Sequence, residues 1–371
     1  MKERLVALDI WRSALLLFGL LVHAAVLIRT LPGDTSGYSW IEEASRSARM
    51  QGFFVIAGYL AARSIGKRGP VDWLRTRTVQ LLVPATVTWL TFARLTDWLA
   101  TGDPFANIIL IGHVWFLYTL AAFSLLTALF EGSGMRRIVP VLARRVDHAP
   151  LWLTVFALFV TALAAKVAVA AIFMTSPAVA QAQGAWANLH RLAATPVMGV
   201  FYAFGYLLAH CELAQRLPLR PMLALFVASA AAYIWMQQPD GYDVVAIPGL
   251  DHRLAMLVMY AMFTGSGVFL ALTIFAHART ARSAPPLLLF LSRCSYTIYL
   301  VHLFYLTALF ALLSPMINGR LALFCVLVLG SLSLSILTHF AIMRSRVLSL
   351  LFNGKSPRPP QSQPATAIVA S

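Results

Sequence analysis

The chain has 371 residues, of which 60% are hydrophobic and only 12% are charged, and its mean hydropathy is +0.76. This composition excludes an ordinary soluble domain and indicates a polytopic membrane protein. The formal net charge of +15 would suit nucleic acid, but the basic residues are distributed as membrane topology requires, so we expect no nucleic-acid partner.

Ten apolar segments predict an all-α protein with about ten transmembrane helices, since a helix needs roughly 20 apolar residues to cross a bilayer core. In chain order they cover residues 10–31, 48–65, 78–99, 108–130, 151–174, 196–213, 220–236, 254–277, 286–313 and 321–343. Residues 1–345 would form one membrane domain. Residues 346–371 would form a cytoplasmic tail, whose Pro, Ser and Gln content predicts disorder from residue 353.

The connections between these segments alternate in charge. Lys and Arg are concentrated after every second segment, as at Lys67, Arg68, Arg75 and Arg77, whereas the other connections carry mainly Asp and Glu. The positive-inside rule then gives an even number of spans with both termini in the cytoplasm.

The first segment carries Arg12 and His23 on one helical face, because eleven steps of about 100° return to within about 20° of the start. The two residues would lie roughly 16 Å apart along the axis, with Gly19 between them, and Asp9 is close enough to pair with Arg12. Ionisable residues inside a span indicate function. The alternatives are a topology anchor for the arginine and simple helix packing for the histidine.

The second and third segments place arginines at opposite membrane edges. Arg46 and Arg49 lie at the outer edge, where they would bind an anionic acceptor or a lipid headgroup, or pair with Glu42 or Glu43. Arg75 and Arg77 lie at the inner edge. Guanidinium groups bind phosphate through two parallel hydrogen bonds, which suits a phosphorylated cytosolic donor and equally suits lipid headgroups.

The fourth and ninth segments carry further candidates. His113 opens the fourth, where it would line a cavity or belong to an interfacial aromatic belt. In the ninth, Ser295, Tyr299 and His302 share one helical face, and His302 lies near the depth of His23. Two histidines at one depth predict a shared cavity, although such polar stripes also serve as hydrogen-bonding contacts between helices.

Several motifs are absent from the sequence. It contains no GxSxG elbow, P-loop or HExxH motif, and no Asp or Glu lies in the middle of a span. We therefore expect neither a metal site nor a Ser–His–Asp triad. The lack of a titratable carboxylate relay also argues against a proton-driven transporter.

These residues resemble the membrane acyltransferase-3 family, and within it the glucan biosynthesis protein C branch. The matching stretches are, in chain order, RLVALDIWRSALLLFGLLVH, ARMQGFFVIAGYLA, the basic run from Arg75 to Pro84, HVWFLYTL, FYAFGYLLA and SYTIYLVH. The similarity extends from Arg4 to about residue 345, and its most specific element is the spacing of Arg12 and His23. It departs at Gln80, where the family often has an arginine.

The resemblance implies a membrane-bound O-acyltransferase of the bacterial cell inner membrane, surrounded by membrane lipids. Such an enzyme moves an acyl group from a cytosolic thioester donor, acyl-CoA, to a hydroxyl of a glycan or glycolipid acceptor at the extracytoplasmic face. The family has no covalently bound cofactor, so acyl-CoA would enter as co-substrate.

The chemistry of acyl transfer assigns roles to the candidates. A base must take the hydroxyl proton, which suits a histidine at neutral pH, and we assign this role to His23. The alternative is a transient acyl-histidine. His302 would orient it, stabilise the oxyanion or assist proton transfer. Donor phosphates would be held by Arg12, Arg75 and Arg77, the first oriented by Asp9. The acceptor or cavity residues would be Arg49, His113, Ser295 and Tyr299.

Two other classes of function are compatible with this pattern. A transporter or flippase of a small polar or glycolipid substrate would also have ten helices and a polar cavity. Such proteins usually show internal repeats, and the two halves of this chain share no convincing similarity. A scaffold or sensor would leave two histidines at one depth unexplained.

A reporter fused after residue 355 tests the topology. With an even number of spans and cytoplasmic ends, a fused green fluorescent protein should fluoresce and a fused alkaline phosphatase should be inactive. Phosphatase activity at this site would reject the assignment.

Overall fold

The computed structural model describes residues 6–33, 35–106, 112–175, 195–237, 249–280, 283 and 285–354. This described part of the chain is α-helical and forms no β-sheet, which confirms the predicted all-α class. In chain order the helices are α1 (Val6–Arg29), α2 (Ser36–Ile65), α3 (Pro70–Leu90), α4 (Phe92–Thr101), α5 (Trp115–Gly132), α6 (Ile138–His148), α7 (Leu151–Thr175), α8 (Thr195–Leu208), α9 (Leu213–Arg216), α10 (Leu219–Met236), α11 (His252–Thr280), α12 (Pro286–Leu313), α13 (Arg320–Arg344) and α14 (Arg346–Asn353).

Seven of the described helices are long and apolar enough to cross a membrane: α1, α5, α7, α10, α11, α12 and α13. Helix α8 is apolar but shorter. The predicted segments 48–65 and 78–99 fall on α2 and on α3 with α4, whose polar side chains lower their hydropathy. The chain is therefore a multi-pass membrane protein.

Helix α2 begins at Ser36, well before its predicted apolar segment. Ion pairs stabilise this polar first half. Glu42 pairs with Arg29 at 2.5 Å and with Arg46 at 2.7 Å, and Arg46 also pairs with Glu43 at 3.1 Å. Because these charges satisfy one another, most of the connection between the first two predicted segments is helix.

The third predicted segment contains a break that its sequence does not reveal. Helix α3 ends at Leu90 and α4 begins at Phe92, and Thr91 between them departs from helical geometry (φ −114°, ψ −82°). Arg94 in α4 is buried and pairs with Asp97 at 3.0 Å. The apolar pattern runs through the break, so it predicts one segment where the structure has two helices.

Helix α2 packs against α1, α8 and α11, and its contact with α8 is a close backbone approach. A Cβ at Gly58 would overlap the carbonyl oxygen of Tyr202, and one at Gly205 would overlap that of Val55. Small residues allow this proximity between membrane helices. The contact fixes the position of α2, which forms one wall of the cavity described below.

The predicted cytoplasmic tail begins with an ordered helix. Helix α14 follows α13 directly, with Ser345 as its N-cap, and packs against α3. Gly354 at its end lies against the backbone of Gln80 in α3, where a Cβ would overlap the Gln80 Cα atom. Residues 355–371, for which disorder is predicted, lie outside the described residues.

Substitution Gly58→Ala should destabilise the protein strongly. Overpacking typically costs about 1–3 kcal/mol, and here the obstacle is a backbone carbonyl that cannot rotate away. The matched control is Gly199→Ala in α8, where the new Cβ would make only an ordinary contact with Phe123 at 3.6 Å. Thermal unfolding in detergent should show a lower Tm for the first variant alone, and equal Tm values would contradict the packing argument.

Candidate functional site

A cavity of about 590 Å³ lies between α1, α2, α3, α5 and α12. Most of its wall is apolar, and the polar lining residues are Arg12, His23, Arg49, Arg77, His113, Ser295, Tyr296, Tyr299 and His302. None of the described lining residues is acidic. The cavity is therefore positively charged and suits a ligand with an anionic part and an apolar part.

Three histidine rings meet in this cavity. The ring centroids of His23 and His302 are 5.2 Å apart, and those of His113 and His302 are 5.6 Å apart. His23 comes from α1 and His302 from α12, while His113 lies in the short turn before α5. The structure thus brings together the two histidines that the sequence places at one depth, with the third beside them.

Backbone hydrogen bonds fix the ring of His302. Its Nδ1 lies 2.9 Å from the carbonyl oxygen of Ile298 and 2.8 Å from that of Tyr299. A carbonyl only accepts hydrogen bonds, so Nδ1 carries the proton and Nε2 is the basic nitrogen. The imidazole is only 5% exposed. His302 therefore has one tautomer and one orientation.

The neighbouring polar groups use their protons on nearby carbonyls. The hydroxyl of Tyr299 donates to the His113 carbonyl. His113 in turn donates from Nε2 to the carbonyl of Leu300 at 3.2 Å. Ser295 donates to the carbonyl of Ser292 at 2.8 Å. The bonds of Tyr299 to His113 and of His113 to Leu300 connect α12 to the turn before α5. They hold this wall of the cavity in place.

Arg12 and Arg77 lie at the end of the cavity away from the histidines. The Arg12 Nη1 is 3.9 Å from Asp9 Oδ1, and Asp9 also accepts a hydrogen bond from Ser292 at 3.3 Å. Arg77 lies over the ring of Trp73, with 5.8 Å between the guanidinium carbon and the ring centroid. Its Nε is buried with no hydrogen-bond partner among the described residues. Asp9 does not line the cavity but contacts the arginine that does.

Arg49 extends from α2 across Gly19 of α1. A Cβ at Gly19 would overlap Nη1 of this arginine, so the guanidinium group occupies the space that the glycine leaves. In the described part of the chain its Nε has no hydrogen-bond partner, and no carboxylate lies within ion-pair distance. Arg46, one turn earlier, takes both Glu42 and Glu43. Pairing with these two carboxylates is therefore confirmed for Arg46 and wrong for Arg49.

Arg75 lies outside this cavity. Two residues along a helix turn by about 200°, so Arg75 and Arg77 leave α3 on opposite faces. Arg75 is exposed in a separate groove with Arg68, Asp72 and Thr76. The structure therefore separates two arginines that the sequence suggests as a pair, and only Arg77 of the two faces the histidines' cavity.

Two residues of interest escape the sequence patterns considered above. Tyr296 lines the cavity and donates from its hydroxyl to the carbonyl of Gln80 at 2.8 Å, which joins α12 to α3. The sequence feature that could have identified Tyr296 is its position beside Ser295 in the quoted SYTIYLVH stretch. Lys166 lies in α7 outside the cavity, with its ammonium nitrogen 4.6 Å from the ring centroid of Phe263. The sequence feature that could have identified Lys166 is a charged side chain within an apolar span.

The chemistry available in this cavity is proton transfer by imidazole and anion binding by guanidinium. Across the described residues, no group of three His, Cys, Asp or Glu side chains is placed to hold a metal ion.

Comparison with known proteins identifies one matching family. A family model of the acyltransferase-3 type, described as an acyltransferase domain, matches residues 5–340. This range includes every residue that lines the cavity. No curated protein and no solved structure matches the chain.

Proposed function

The chain belongs to the acyltransferase-3 family and is an acyltransferase that transfers groups other than aminoacyl groups, and from this premise we propose its substrates and its direction of transfer. An acyl group passes from cytosolic acyl-CoA to a hydroxyl of a glycan or glycolipid at the extracytoplasmic face. The protein works in the inner membrane of a bacterium. Its acceptor is a glucan, a choice supported by the resemblance of the matching motifs to the glucan biosynthesis protein C branch.

The observation that supports this proposal is the division of one cavity into two chemically different ends. Arg12 and Arg77 offer cationic groups at one end, where donor phosphates would bind. His23 and His302 offer imidazoles at the other, roughly 16 Å along α1. The apolar wall between them would hold the flexible arm that carries a thioester. A donor with a phosphate head and a reactive tail fits this arrangement.

In the proposed reaction His23 is the general base. It takes the proton of the acceptor hydroxyl as the oxygen attacks the thioester carbonyl carbon, and the carbonyl electron pair moves onto oxygen. The tetrahedral intermediate collapses, the carbon–sulfur bond breaks, and the thiolate takes the proton back from the imidazolium. His302, with its ring 5.2 Å away and its Nδ1 proton held by the backbone, keeps a basic Nε2 to orient His23.

A topology of ten spans with cytoplasmic ends suits this direction of transfer. The ten apolar segments fall mainly on described helices, and the basic connections would lie in the cytoplasm. Helix α1 would then enter from the cytoplasm. Arg12 would lie near the inner face, where the donor is, and His23 in the outer half, where the acceptor arrives.

The decisive experiment supplies the purified protein in nanodiscs with ¹⁴C-labelled acetyl-CoA or succinyl-CoA and a glycan extract of the parent cells. Label should move to the glycan fraction. Mass spectrometry of surface glycans from a deletion strain should show the loss of one acyl mass. Movement of glycolipid across the membrane without label transfer would support a flippase instead and overturn the proposal.

Substitution His23→Ala should lower kcat by a factor of about 10² to 10⁴, the usual range for losing a general base. His23→Gln keeps a hydrogen-bonding side chain of similar size but accepts no proton at neutral pH, so it should be equally inactive. Both variants should keep the wild-type Tm, because removing a neutral imidazole that faces a cavity leaves no charge unpaired. A folded His23→Ala protein with normal turnover would move the role of base to His302.

Substitution Arg77→Ala should raise the KM for the acyl donor. A hydrogen bond to a charged group is worth about 1.5–3 kcal/mol, which corresponds to roughly 10- to 100-fold in affinity. Arg75→Ala is the matched comparison, because it removes the same charge from the opposite face of α3 and should have a much smaller effect. Donor titrations under constant acceptor measure both, and equal effects would contradict the assignment of Arg77 to the donor site.

A further inference from the structure

We infer that Arg49 is a catalytic residue of the acyl transfer, that its guanidinium group stabilises the oxyanion formed at the thioester carbonyl, and that Gly19 provides the notch in which this group lies. The inference rests on the proposed function and deepens it. It replaces binding of an anionic acceptor, the role that the sequence suggests for Arg49, with stabilisation of the transition state.

The position of Arg49 supports this role. It lines the same cavity as His23 and His302. Gly19, which its Nη1 contacts, precedes His23 by one helical turn. The guanidinium group is therefore beside the proposed base, on the stripe of α1 that faces the cavity. Arg12, by contrast, lies two further turns away.

Arg49 differs from its polar neighbours in its hydrogen bonding within the described part of the chain. Tyr299 and His113 both donate to backbone carbonyls, and His302 uses its Nδ1 proton in the same way. Within the described part of the chain, Arg49 has no carboxylate partner, and its Nε is buried without a hydrogen bond. At the histidine end of the cavity, it is therefore the group best able to donate to a ligand oxygen.

The position of the Arg49 guanidinium group depends on the absence of a side chain at Gly19. Any Cβ there would overlap Nη1 of Arg49, so the group would have to move away from the helix axis. Leu16 and Leu20 line the cavity on either side of Gly19. An apolar surround of this kind strengthens the interaction of the guanidinium group with an oxyanion, because little water competes for it.

The charge balance of the proposed step gives Arg49 its task. When the hydroxyl oxygen bonds to the carbonyl carbon, its proton goes to His23 and one full negative charge appears on the former carbonyl oxygen. That charge disappears when the carbon–sulfur bond breaks and the thiolate recovers the proton. A fixed cation near this oxygen stabilises the transition state more than the neutral thioester, so it raises kcat rather than affinity.

The test uses purified protein in nanodiscs, labelled acetyl-CoA and the glycan extract described above. Arg49→Ala should lower kcat by about 10²- to 10³-fold, as loss of an oxyanion donor does, with little change in the KM of the donor or of the glycan. Binding of non-hydrolysable desulfo-CoA should be unchanged. Arg49→Lys should recover only part of the rate, since one ammonium group replaces a planar fork of donors. Arg46→Ala, which removes an outer arginine that is already paired, should keep the wild-type kcat.

Gly19→Ala provides a second route to the same loss, and it keeps the inference testable if Arg49→Ala should fail to fold. It should lower kcat by displacing the guanidinium group, and the double variant Gly19→Ala/Arg49→Ala should lose little more than Arg49→Ala alone, because both changes remove one interaction. Gly199→Ala is the control for adding a methyl group to a helix. If the losses of kcat in the two single variants add up in the double variant, the claim that Gly19 acts by leaving space for Arg49 is contradicted.

The outcomes separate this inference from the proposed function. If the wild-type protein transfers no label at all, the proposed function fails. If the wild type transfers label and Arg49→Ala transfers it at the same kcat, the function stands and the inference is overturned. A raised KM for the donor or for the glycan with unchanged kcat would also overturn it, since Arg49 would then bind a substrate in its ground state.

Discussion

A guanidinium group inside an apolar helical bundle requires an anion, and the described walls of this cavity provide none. Removing such a charge from water costs several kcal/mol even after relaxation, so unpaired arginines here reduce stability. Arg49 and Arg77 each keep a buried Nε without a partner in the described part of the chain. Both arginines lack an anionic partner among the described residues, which explains why the cavity suits anionic ligands. Because the two arginines lie at different places in the cavity, it suits negative charge at both places.

Those two positions are held by different means. Arg77 lies against Trp73 in the N-terminal half of α3, a helix that the hydrogen bond from Tyr296 in α12 and the contact with α14 also restrain. The position of the Arg49 side chain depends on where α2 lies. The contact of Gly58 with α8 positions this helix, and the missing side chain at Gly19 leaves space for the guanidinium group. Rigid support of this kind lets a polar site act without reorganising during the reaction.

The sequence alone predicts the helical class and most of the site. The spacing of Arg12 and His23, with the stripe ending in His302, is a local regularity, so helical geometry is enough to place these side chains on facing surfaces. Features that depend on neighbouring helices are not predictable in this way. The break at Thr91 interrupts a continuous apolar pattern. Only the orientation of α3 shows which face, and hence which arginine of that helix, meets the cavity.

The different surroundings of the two central histidines bear on how charge moves during transfer. His302 has its Nδ1 proton committed to two carbonyls, so in the proposed reaction it would stay neutral while it orients His23. No hydrogen bond of His23 to a described residue competes with the acceptor hydroxyl. In the proposed reaction, the guanidinium group of Arg49 and the imidazolium of His23 would repel each other, and the oxyanion that forms beside them would offset this repulsion. Proton transfer to His23 and formation of the new carbon–oxygen bond would therefore be coupled in this proposal, because the oxyanion appears as the imidazole gains its proton.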